Sequence, residues 1–414
     1  MSTSAGKFEK QPMEAHPDSV KSRQADKELV FLIKGKLEAI STLKSIYRVP
    51  EELKRARENA EKVYVPDKIA IGPFHQDKLR LKSFQEHKWH YLYTLLSRKP
   101  ELEAILSECV KALKELEQTA RNCFAERVNL TSDEFVEMML LDGCFIIELF
   151  FKYSMKGLRR GGDPIFASAG LFFDIRCDLI LLENQIPLII LHRLFEIVPI
   201  PPQCDQLLSE LAYRYFRSML PGSKEALSHK FSQEGNHLLD LIHQCYLPTY
   251  AKVQSKKAIS PAEITSARSF QKRNRIKFMR FRAKSLLDIH FEDGILEIAP
   301  MRTHKFTEIL FANLIALEQF HTEIQYFRSY ALLMAGFMKS EKDAEFFRRL
   351  GIFILDEGQK DEDIFNLFVR LCENVDVKEF YYSGLLEQIE EYRRRRKSWK
   401  QAFKCTCFRT STPT

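Results

Sequence analysis

The sequence contains no glycine-rich loop closing on Lys-Ser or Lys-Thr, no His-Glu-x-x-His, no Gly-x-Ser-x-Gly elbow and no paired Cys-x-x-Cys. These absences remove the readable signatures of nucleotide hydrolysis, zinc peptidases, serine hydrolases and structural zinc modules. They leave open an enzyme whose residues converge only in space. Glycine (15) and proline (16) are scarce, which with 32 phenylalanines points to a helix-rich, aromatic-packed interior. The nine cysteines are odd in number and scattered, mostly in apolar helical contexts such as Cys144 and Cys177. That usage suits a reducing compartment better than a disulfide framework. The first stretch, "MSTSAGKFEKQPMEAHPDSVKSRQADKE", lacks the apolar core of a signal peptide, so residues 1–26 are expected to be a disordered tail. Long apolar runs are missing too. The best, "LILLENQIPLIIL" from Leu179 to Leu191, carries Glu183, Asn184 and Gln185 at its centre. A bilayer-spanning helix needs about 20 apolar residues and does not tolerate a central carboxylate cheaply. The run therefore reads as protein interior with a polar joint.

What is present is mostly helical periodicity. A first helix is expected from Asp26 to about Ser45, on the spacing of Leu29, Ile33, Leu37, Ile40 and Leu43. The next stretch carries Pro50, Pro66 and Pro73, and reads as irregular chain wrapped over the surface. Helices are expected over Leu79–Ser97 and from Pro100 to about Arg127. Thr131 and Glu134 form a capping box that opens the most apolar helix, "FVEMMLLDGCFIIELFFKYS", expected to be central and buried. Gly161 and Gly162 break the chain before a helix over Ser168 to about Leu182. The trio that follows is expected to satisfy backbone groups left unpaired between two buried helices. Further helices fall over Asp205–Leu220 and around His237.

Residues 247–262 look like a linker or long loop between a helical first half, 27–246, and a second half, 263–400. In the second half the period changes to two over "RIKFMRF", "SLLDIHF" and "ILEIAP", the last two joined by Glu292, Asp293 and Gly294 as a hairpin turn. Helices resume over Lys305–Phe320, Ile324–Met338, Asp343–Leu350, Glu362–Glu373 and Val377–Lys400, before a short basic tail, 401–414, containing cysteine. The expected class is mainly α, with a small antiparallel sheet at about residues 275–299 between helical halves that pack as one domain.

The net charge of +7 is unevenly placed. Arg268, Lys272, Arg273, Arg275, Lys277, Arg280, Arg282 and Lys284 fall in one stretch without an acid, and Arg393–Arg409 holds eight more cations, again without an acid. Removing those sixteen charges from +7 leaves a body of −9, so anion binding belongs at the two patches. Phe270, Phe278 and Phe281 are interleaved in the first patch, a composition that can bind single-stranded nucleic acid. The favoured reading puts Ile276, Phe278 and Phe281 on the buried side of a strand. The second patch, with Arg393, Arg394, Arg395, Arg396 and Lys397, suits an anionic membrane surface or a nuclear address, and Cys405 and Cys407 are candidates for acylation. His87 and His90 have a spacing that can grip a metal but lack a third ligand, so no metal or cofactor is expected. Asp174 and Asp178, with Arg176 between them, read as a solvated or locally paired helix face rather than an acid–base dyad.

Several stretches together resemble one family. "YRVPEELKRARENAEKVYVPDKIAIGPFH", "LDGCFIIELF", "DPIF", "DLILLENQIPLIIL", "SLLDIHFEDGILEIAP" and "NLIALEQF" occur in the order shown by the plant-specific family catalogued as domain of unknown function 247. The likeness covers about residues 46–400. It implies no catalytic activity or cofactor, and so no catalytic residues. It does imply a signalling role through an unidentified protein partner in plant reproduction, in self-incompatibility recognition or in suppression of female organ development. Members typically end in a transmembrane helix, and in its place this sequence reads "KCTCFRTSTPT". The expectation is a cytoplasmic, non-enzymatic protein, peripheral at the plasma membrane through its basic tail. A nuclear or nucleic-acid-binding regulator is the first alternative, and an enzyme of unrecognised type the second.

Overall fold

A computed structural model describes residues 44–409, apart from 160, 221–234, 256–259, 322–323, 374–376 and 378, and without the side chains of 274, 321 and 397–409. The tail and first helix expected within residues 1–43 lie outside the described residues. Ser45–Thr414 form one compact unit.

The chain enters this unit through a strap, residues 45–75. Ile46 bridges Phe124, and two short helices follow, α1 (Glu51–Arg55) and α2 (Ala60–Tyr64). The prolines do keep most of the strap irregular, but the expected surface position is wrong. Ile46, Val49, Leu53, Val63, Tyr64, Ile69, Ala70 and Ile71 are all buried. An irregular backbone can run inside a protein only if side chains satisfy its N–H and C=O groups, and this requirement organises the molecule.

The segment expected as one helix from Leu79 is two, α3 (Leu79–Lys82) and α4 (Gln85–Leu96). Next come α5 (Leu102–Asn122) and the long α6 (Ser132–Ser154). In α6 Thr131 accepts from the Glu134 N–H while the Glu134 carboxylate accepts from the Thr131 N–H, the expected capping box. Every residue of α6 from Met138 to Lys152 is buried, and α4, α5 and two later helices surround it. Three of those buried residues are charged, and each has an opposite charge beside it: Asp142 with Lys88, Glu148 with Arg98, and Lys152 with Asp163. Unpaired, each would cost several kcal/mol.

After α7 (Pro164–Ala167) and α8 (Ala169–Asp178) the chain breaks at the acid–amide trio and resumes as α9 (Leu188–Ile197) and α10 (Leu208–Phe216). His237 then caps α11 (Leu238–Tyr246) through its ring nitrogen. Residues 247–255 carry no helix or strand, and the Thr249 N–H and hydroxyl both donate to buried Asp288.

The second half opens with α12 (Ala267–Asn274), which ends at Arg275 with φ 54°. Three strands follow, β1 (Lys277–Arg280), β2 (Ile289–Glu292) and β3 (Ile295–Ile298). The expected hairpin joins β2 to β3, and Asp293 and Gly294 both take positive φ (47° and 84°), as a tight two-residue turn requires. The sheet is not purely antiparallel, however. The returning strand β3 inserts between β2 and β1 and pairs with β1 in parallel, Phe278 opposite Leu296. A second parallel pair joins β4 (Met301–Arg302) to β5 (Phe353–Ile354). The remaining helices are α13 (Thr307–His321), α14 (Tyr326–Phe337), α15 (Glu341–Arg349), α16 (Asp361–Leu371) and α17 (Ser383–Arg409). The class is mainly α.

Candidate functional site

The densest polar chemistry lies where the strap passes the end of α8. The Asp178 carboxylate accepts three consecutive backbone N–H groups, from Asp67, Lys68 and Ile69, at 2.8, 2.8 and 2.9 Å. Asn184 Oδ1 accepts from Ile71 N–H at 2.7 Å, and its amide donates to Ile69 O and Asp178 O. Gly72 N–H donates to Asp142 Oδ2, whose other oxygen meets Lys88 Nζ at 2.5 Å, and Lys88 also reaches Ala70 O. Gly72 has φ 73°, and a Cβ there would stand 2.4 Å from Gln185 O, so only glycine fits. From α13, Asn313 donates to Val63 O and accepts from Leu182 N–H. Gln185 closes the helix ends, donating to Leu179 O and Leu181 O and accepting from Leu239 N–H.

Glu183 is the electrostatic centre of this clasp. Its side chain is 1% exposed, with Lys54 Nζ at 2.8 Å, His75 Nε2 at 3.2 Å and Arg48 at 3.6 Å, and it accepts from Val49 N–H at 2.8 Å. Burial alone would raise its pKa, but His75, Lys54 and the Val49 N–H outweigh that and hold it at about 2. Burial lowers the pKa of His75, against the pull of Glu183. Asp178 makes no ion pair among the described residues. Burial pushes it up to about 7, against the three N–H bonds. The trio thus does what its place between helices implied and also anchors the strap. Asp178 corrects the expected solvated face: it is 3% exposed, while Asp174, one turn earlier, is the member near solvent, 3.8 Å from Lys68.

A cleft of about 380 Å³ opens over the Lys88–Asp142 pair, between the strap, α4 and the start of α6. Asp77, Glu134, Glu137 and Trp89 stand among its walls.

The basic stretch Arg268–Lys284 occupies α12, its left-handed cap, the edge strand β1 and the loop after it, which holds Arg282 and Lys284. Lys272, Arg273, Arg275, Lys277, Arg280, Arg282 and Lys284 are exposed and Arg268 is half-buried. None of the eight makes an ion pair among the described residues. Phe270, Ile276 and Phe278 are turned into the core and Phe281 is half-buried.

The model of the family described as plant protein of unknown function, domain of unknown function 247, matches residues 46–414. The chain belongs to this family. The UPF0481 protein At3g47200 of Arabidopsis thaliana is 27% identical over 395 residues, covering 87% of this chain and 81% of that protein. A second Arabidopsis thaliana relative, the UPF0481 protein At3g02645, is 24% identical over 210 residues, 49% of this chain and 38% of its own length. No solved structure matches the chain.

In this domain-247 protein the two basic patches, distant in sequence, meet in space. Arg393 of α17 lies 5.7 Å from the Phe270 ring of α12, and Tyr392 packs on the β2–β3 hairpin, 5.6 Å from Phe291. The second patch is partly neutralised by its own helix, with Arg393 on Glu390 and Arg395 on Glu391. Arg394 is exposed and Arg396 bonds Tyr392. Helix α17 runs on to Arg409, past the expected end at Lys400. The side chains of Lys397, Cys405 and Cys407 lie outside the described set. His87 packs on Phe84 at 4.8 Å and His90 is exposed, with no group of three metal-ligating residues among the described residues. Seven cysteines, 109, 123, 144, 177, 204, 245 and 372, are free. No helix among the described residues is long and apolar enough to cross a membrane.

Asp142, Lys88, His75 and Asn313 escaped the reading of the sequence. One signal was available: Asp142 interrupts "MMLLDGCFII" in a helix apolar all round, and a charge there needs a buried partner.

Proposed function

We propose that this domain-247 protein is a non-enzymatic interaction protein that presents α12 and β1 to an anionic protein partner. The supporting observation is the eight cations of Arg268–Lys284, none in an ion pair among the described residues, against an interior whose charges are paired or bonded to backbone. The polar groups around Glu183 and Asp178 are consumed in holding the strap. Because Phe270 and Phe278 point inward and Phe281 is half-buried, the surface offers more charge than stacking area, which favours an acidic protein over single-stranded nucleic acid. A place in reproductive recognition or floral development, in the cytoplasm or at the plasma membrane, rests on the family resemblance.

The test is co-purification from floral tissue with wild type and with Lys272→Glu, Arg273→Glu, Lys277→Glu and Arg282→Glu combined. A stoichiometric protein that wild type holds and the variant loses supports the reading. Nucleic acid as the sole co-purifying species, or a partner indifferent to the charge reversal, overturns it.

A further inference from the structure

The cleft over the Lys88–Asp142 pair shares no residue with α12 or β1 and has a different chemistry. Its floor is electrically closed: Lys88 and Asp142, both 2% exposed, neutralise each other and spend their remaining bonds on Ala70 O and Gly72 N–H. The charge of the cavity is therefore set by its walls. Glu134 is committed to the Thr131 N–H and hydroxyl, which hold its carboxyl below the usual range. Asp77 and Glu137 are exposed and make no ion pair or side-chain hydrogen bond among the described residues. Trp89 lines the same cavity with 46% of its surface exposed, and Tyr93, one turn further along α4, is 61% exposed. Buried Met138 and half-buried Leu130 supply an apolar wall.

An anion entering here would meet three carboxylates, and a purely apolar molecule would strand Asp77 and Glu137 away from water. A cation on an apolar stem suits this lining: the stem against Met138 and Leu130, the head against Trp89 and the carboxylates of Asp77 and Glu137. The volume lies within the range of small-molecule sites, about 300–1,000 Å³. We propose that this cleft binds a guanidinium or ammonium group, carried either by a basic residue of a peptide or by a free small amine.

The chain has two tryptophans, so Trp399→Phe leaves Trp89 as the sole indole reporter in the full-length protein. Titration with agmatine, and with an acetylated, amidated Ala-Arg-Ala peptide, is expected to change Trp89 emission saturably. Glu137→Gln or Asp77→Asn, both at exposed positions, should weaken that response by about tenfold, and reversing the charges of α12–β1 should leave it unchanged. Tighter binding of the peptide assigns the site to a protein partner; tighter binding of agmatine assigns it to a free amine. Emission that does not respond to either probe, or a response untouched by Glu137→Gln and Asp77→Asn in variants whose far-ultraviolet circular dichroism matches wild type, overturns the proposal.

Discussion

The strap clasp and the α12–β1 surface are both rich in charge and use it in opposite ways. Around the strap, Asp142, Glu183, Lys88 and Lys54 each meet an opposite charge, and Asp178 meets three N–H groups instead. On α12 and β1 no cation makes an ion pair among the described residues. Buried charge left unmatched costs several kcal/mol, whereas exposed charge left unmatched costs little beyond self-repulsion and stays available to a partner. The contrast separates what builds this molecule from what it offers.

Removing a clasp member should be the most damaging change. Asp178→Ala leaves three N–H groups without an acceptor and is expected to cost on the order of 3–5 kcal/mol in urea unfolding. Asp178→Asn, which keeps one accepting oxygen, should cost less. A loss under about 1 kcal/mol for the alanine variant would show that water or a shifted strap replaces the carboxylate. Next in size, Lys88→Met strands Asp142 and should cost about 3 kcal/mol, while adding Asp142→Leu should recover part of that loss. Ion-pair removal that is additive in this double-mutant cycle would break the claim that the two charges need each other.

On the other side of the comparison, the fourfold reversal on α12–β1 should move the unfolding midpoint little, each exposed substitution staying within about 0.5 kcal/mol. A further contrast is read in acid. Glu183 is held at about 2 when folded, below its ordinary value of 4.5. Its contribution is therefore complete above pH 4.5 and lost as pH falls towards 2. Asp178, raised to about 7, has the opposite sign: the folded state holds its proton longer, so its contribution declines as pH rises from 3.8 to 7. Glu183→Gln should flatten the acid limb of a stability–pH curve and leave the limb between pH 5 and 7 in place.

Local signals read correctly where the physics was local. The Thr131–Glu134 box, the all-round apolar α6, the break at Glu183–Gln185 and the Asp293–Gly294 turn each depend on residues within a few positions. Readings failed where a partner lay far along the chain. Periodicity put Asp174 and Asp178 on one helix face, but only tertiary packing turns Asp178 towards N–H groups 109 to 111 residues away. Prolines marked the strap as irregular without saying that carboxylates and amides elsewhere would let it run inside. The parallel β1–β3 pairing likewise depends on which edge of the hairpin a third strand meets. The cleft was invisible for the same reason, since Asp77, Trp89 and Glu137 come from three separate elements.

The link from Asn313 to the Val63 carbonyl joins residues 250 positions apart. On a ribosome adding about 5–20 residues per second, Val63 emerges roughly 10–50 s before its donor exists. For that interval α2 lacks the helix it packs against, while Phe124, Asp142, Asp178 and Asn184, which hold the rest of the strap, are made before it ends. The two ends of the strap thus close at different times in synthesis, the α2 end last.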